Sequence, residues 1–138
     1  MDFVTMFGIV WCQYFCVYGL AALMSMLVTR ENSALVGVIA ALIASCLCGY
    51  GPSLVQGRQW NLYFLQFLSF ARWGAEAFFH AETYAYRNHF MVLEVSAGIW
   101  GYTLDRFSLD IFMMILLGLG MRAVAFLLMI GLNRKEQK

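Results

Sequence analysis

Uncharged runs divide this chain. Between Phe3 and Thr29 no side chain is charged, between Asn32 and Gly57 none is, and between Ile111 and Asn133 Arg122 stands alone. The first run, about 27 residues, can cross a hydrocarbon core of about 30 Å with some tilt. Its leading residues, Met1-Asp2, are not basic. Its length also exceeds the roughly 7–15 residues of a secretory h-region, so it reads as a span rather than a leader. The pattern predicts transmembrane helices near 3–29, 33–50 and 109–132.

The second helix should stop at Gly49-Tyr50-Gly51-Pro52-Ser53, where two glycines precede the one proline. Glycine permits unusual backbone angles and proline cannot extend the hydrogen-bond ladder. Trp60 to Ala71 is then apolar but only about twelve residues long, too short to span, and so re-entrant or interfacial. Trp60, Tyr63, Phe64, Phe67, Phe70 and Trp73 suit either a buried segment or an aromatic belt at the headgroups. Arg72, Glu76 and His80 follow at i, i+4, i+8, one helical stripe continued by Thr83 and Arg87. Trp73, Ala77, Phe78, Ala81 and Tyr84 fall mainly opposite. The spacing predicts an amphipathic helix along the membrane interface, with Glu82 off the stripe and in need of a counter-ion or backbone donor. The expected fold is an all-α membrane protein. It has three transmembrane helices, with re-entrant or interfacial helices over about 53–90 inside a long extracellular segment.

Composition agrees. Of 138 residues, 62% are hydrophobic and 12% charged, against about 45–50% and about 25% for soluble domains. The net charge is +1 and no Lys/Arg run exists, which excludes a nucleic-acid partner. Metal chemistry is excluded too. His80, Glu82 and His89 are the candidates, and residues at i, i+2 on a helix point about 200° apart. No His-Glu-x-x-His and no cysteine cluster occurs. No nucleophile signature appears, so the chain is not expected to be an enzyme. The four cysteines lie in the spans and read as small hydrophobes. Arg122, about 12 Å from its span's end, either snorkels or faces the bundle, and Gly118 and Gly120 before it permit close helix approach. Arg30, Arg134, Lys135 and Lys138 flank span ends on one side, against Arg58 and Arg106 on the other. That places the tail and the 30–32 loop in the cytoplasm and 53–108 outside.

Gly49-Tyr50-Gly51-Pro52, Trp60, the run Leu65-Gln66-Phe67-Leu68-Ser69-Phe70-Ala71-Arg72-Trp73-Gly74, downstream Glu82, and Arg122-Ala-Val-Ala-Phe126 together resemble the G subfamily of ATP-binding cassette transporters. The resemblance implies the last three of six helices of a half-transporter, an ABC-2 type membrane domain, with the re-entrant segment in its third extracellular loop. By position it makes Ala41, Leu42 and Ser45 lining residues of a cavity shared with a second half-transporter. Tyr50 and Gly51 take the place of an apolar exit valve, which glycine cannot plug. Arg72, Glu76 and Glu82 would brace the outer roof, and Arg122 would anchor the last helix. The family's loop cysteines are missing, so no disulfide is implied.

The chain has no G-x-x-x-x-G-K-[ST] loop, and its only lysines are Lys135 and Lys138. ATP and Mg would therefore act on a nucleotide-binding domain supplied elsewhere, and this chain would be a fragment or a partner-dependent piece. The expectation is a plasma-membrane half-transporter, homo- or heterodimeric in membrane lipid, exporting apolar or amphipathic substrates. The alternative is a small free-standing membrane scaffold or accessory subunit.

Overall fold

The computed structural model describes residues 2–29, 31–84, 91–103 and 106–136, with backbone alone over 91–94 and 132–136. They form seven helices and no strand: α1 (Phe3–Leu27), α2 (Ser33–Cys46), α3 (Leu54–Gln59), α4 (Tyr63–Leu68), α5 (Phe70–Thr83), α6 (Met91–Trp100) and α7 (Phe107–Glu136). The protein is an all-α membrane protein. α1 and α7 are long and apolar enough to cross a membrane, and α2 is a shorter apolar helix.

α1 and α7 run side by side in the same direction. Cys16 Sγ donates to Met114 O at 3.0 Å. One turn on, a Cβ at Gly19 would stand 2.9 Å from the Gly118 carbonyl, so the two backbones nearly touch there. α2 returns antiparallel along α1. It ends at Cys46, short of the expected residue 50, because Leu47 leaves helical geometry and Gly49 takes φ 97°. Only glycine adopts that angle without strain. A Ser53–Gln56 capping box then starts α3. Asn61, at φ 57°, turns the chain into α4. The Gln66 side-chain amide donates to Pro52 O at 3.2 Å and ties that hairpin to the break.

α5 packs on α7, α1 and α2. The core is Ile9, Cys12, Cys16, Phe70, Trp73, Ala77 and Met114. On α1 these positions lie roughly 9–20 Å beyond the first residue at 1.5 Å per residue. α5 thus lies beside the first half of the long helices, and its start is held by Ser69 Oγ donating to Ala44 O at 2.6 Å. The flanks stay apolar and open: Phe7, Trp11 and Tyr14 on α1 and Phe112, Phe126 and Leu127 on α7 are exposed. α2 has no buried residue.

Candidate functional site

The charged stripe of α5 faces protein. Arg72 is 7% and Glu76 3% exposed, because each finds groups within the fold. Glu76 Oε1 accepts from the Thr103 backbone N–H and from Thr103 Oγ1, both at 2.8 Å. A carboxylate that accepts two donors 27 residues away fixes α5 to the chain between α6 and α7. Arg72 Nη2 lies 3.8 Å from Glu76 Oε2. Its guanidinium covers the Trp73 ring at 4.3 Å and approaches Tyr63 at 5.5 Å, while Arg58 approaches the same tyrosine at 5.2 Å. Cation–π contact suits a guanidinium in a dry site. Trp73 is itself anchored, its Nε1 donating to Phe67 O at 2.9 Å.

Asp110 joins this cluster from the first turn of α7. It is fully buried, and neither oxygen has a hydrogen-bond partner among the described residues. Tyr102 closes the side toward α2. Its hydroxyl donates to Cys48 O at 3.0 Å, and burial, with Cys48 and Glu76 close by, pushes the phenol from 10 up to about 12.

The other positions named from sequence lie apart. Glu82 is exposed, away from the buried pair. His80 rests against Phe107 and Tyr84. His89 and Arg87 lie outside the described residues, and among those described no group of His, Cys, Asp or Glu could hold a metal. Arg30 and Lys138 are likewise outside, as are the side chains of Arg134 and Lys135. Arg122 faces the bundle: Nη1 donates to Gly118 O at 3.0 Å and Cζ stands 3.7 Å from the Phe15 ring centroid. Ala41 helps line an open groove of about 330 Å³ between α1 and α2, with Val17, Leu20, Ala34 and Gly37. Leu42 is 60% exposed, and Ser45 Oγ donates back to Ala41 O at 2.9 Å. Tyr50 is exposed and stacks on Trp100 at 5.1 Å, 8° from parallel, while nothing lies within 4 Å of a Cβ built on Gly51. The four cysteines are free.

Sequence reasoning missed Asp110, Thr103 and Tyr102. For Asp110 one signal existed, a lone acid in the first turn of an apolar span. Thr103 and Tyr102 carry no local signature.

The model of a family described as ABC-2 type transporter matches residues 1–135. An ABC-type transporter, claG, of Penicillium crustosum is 31% identical over 70 residues, which make up 51% of this chain and 9% of that protein. No solved structure matches the chain.

Proposed function

Because the chain belongs to the ABC-2 type transporter family, we propose that it is the C-terminal half of the membrane domain of a G-subfamily half-transporter. An ABC-2 membrane domain works with nucleotide-binding partners in lipid and has no nucleotide site itself. In this reading ATP and Mg act on a domain outside the chain, and a second half-transporter completes the pathway. The transporter sits in the plasma membrane with its C-terminus in the cytoplasm and exports apolar or amphipathic molecules.

The observation that carries the reading is the contrast between α5 and α2. α5 turns Arg72 and Glu76 into protein, while α2 buries nothing and leaves Leu42 and the Ala41 groove open. A helix apolar all round and covered on one side only fits a pathway completed by other helices. Ala41, Leu42 and Ser45 then meet the substrate, with Tyr50 and Gly51 above them. Arg72, Glu76 and Glu82 brace the outer end, and Arg122 anchors the last helix.

The test is uptake of a fluorescent lipophilic dye into inside-out vesicles from cells expressing the full-length protein that carries this chain. Uptake that requires ATP, and that falls several-fold with Leu42→Trp at unchanged protein level, supports the reading. ATP-dependent uptake indifferent to both Leu42→Trp and Ala41→Trp removes the cavity assignment. A mature protein of this chain's size with no nucleotide-binding partner on purification would mean a scaffold or accessory subunit instead.

A further inference from the structure

The junction of α5 and α7 buries more polar atoms than the fold satisfies. Among the described residues Arg72 Nε and Nη1, Glu76 Oε2 and both Asp110 oxygens have no hydrogen-bond partner. The ionic contact of Arg72 among the described residues, 3.8 Å to Glu76, is well beyond the roughly 2.7–2.9 Å of a charge-assisted hydrogen bond. Buried polar groups without partners need a reason, and opposite charges on two packed helices need a stronger one. Asp110 lies within electrostatic reach of both Arg72 and Glu76, with Arg106 beside it. Arg106 is exposed, and Asp110 is 0% exposed, sealed from any separate partner in this state.

Chemistry matches the orphaned atoms to one another. With Nη2 toward Glu76, the guanidinium leaves Nε and Nη1 idle. A carboxylate takes a guanidinium in a bidentate pair through Nη2 together with Nε or with Nη1, so a seat on Asp110 draws on the Nη2 now turned to Glu76. We propose that Asp110 is a second seat for Arg72, so that the guanidinium moves between Glu76 on α5 and Asp110 on α7 and gives α5 two settled positions against α7. In the state seen here Arg72 rests toward Glu76 and on the Trp73 face. In the other it forms two parallel N–H···O bonds to Asp110, while Glu76 keeps Thr103 through Oε1. The exchange replaces a contact within one helix by a bond between two, locking α5 to α7. Two discrete arrangements of a packed junction are what a switch requires. Asp110 is a positioning residue in this scheme, acting through Arg72. The clasp stands apart from the transport reading, and its test reads no transport.

Trp73 reports the seat, since its ring is fixed by Phe67 O and lies under the guanidinium. The protein is labelled with 5-fluorotryptophan in detergent micelles, and Trp73→Phe assigns its ¹⁹F line among the four tryptophans. In the unsubstituted protein the Trp73 line is expected to be split, or broadened by exchange beyond the Trp11 line. Asp110→Asn should collapse it to the Glu76-seated position, and Glu76→Gln should move it the opposite way. One sharp line in the unsubstituted protein overturns the proposal, as do two variants that shift the line alike or not at all. Where a variant does not fold, the unsubstituted spectrum decides.

Discussion

Glu76 serves two groups at once, and its removal should be felt in both. Glu76→Ala leaves Arg72 buried beside no carboxylate on its own helix and frees two Thr103 donors. Breaking a buried pair in this way costs about 3–5 kcal/mol. Thr103→Val keeps the backbone donor and should cost about 1 kcal/mol. Unfolding in detergent, followed by circular dichroism, ranks the two. Tyr102 gives a second residue-scale test. Its phenol is pushed up to about 12 from 10, so between those values the unfolded chain has released a proton that the folded chain keeps. Stability is therefore full below pH 10 and falls as pH rises toward 12. Tyr102→Phe should show a flatter decline in the same window. The stripe of Arg72 and Glu76 could be read from its spacing, because helical periodicity is local. Asp110, only 34 positions past Glu76, could not be joined to it, because nothing in the spacing tells which helices pack. For the same reason Arg122 stayed open between snorkelling and facing inward until Phe15 and Gly118 appeared beside it.

At the scale of elements, the α1–α7 crossing is governed by two glycines of different kind from the one under α5. A Cβ at Gly19 meets the Gly118 carbonyl at 2.9 Å, and that backbone cannot step aside without parting the helices. A Cβ at Gly74 overlaps the Gln13 amide more deeply, but that amide ends a flexible side chain. Gly19→Ala should therefore lower thermal stability more than Gly74→Ala, by roughly 1–3 kcal/mol, despite the smaller overlap. The two long helices were legible as uncharged runs, and the end of the second as Gly-x-Gly-Pro. Its early stop at Cys46 was not, since the turn over 47–50 depends on Gly49 packing against Leu54 and Tyr102. The stripe on α5 predicted an amphipathic helix along the interface, without saying what its charges meet. In the structure Arg72 and Glu76 face protein, because Thr103, Trp73 and Tyr63 supply partners drawn from elements before, within and after the helix.

The whole molecule has a closed side and an open one. α5 closes the bundle where α1 and α7 begin, and α2, packed on α1 along one side, leaves its other side open. An epitope tag on the C-terminus should be reached by antibody only after cells are permeabilised, since the basic residues near the tail favour the cytoplasm. Staining of intact cells would reverse the orientation. The long reach of the Glu76–Thr103 bond has a consequence for biosynthesis. α5 reaches the membrane before Thr103 and α7 do, and at roughly 5–20 residues per second that gap lasts seconds. During it, an unpaired arginine and glutamate sit on a segment that cannot yet bury them. Quality control in the membrane of synthesis has its clearest target there. Inherited or engineered changes at this seam should show as protein that never leaves that membrane.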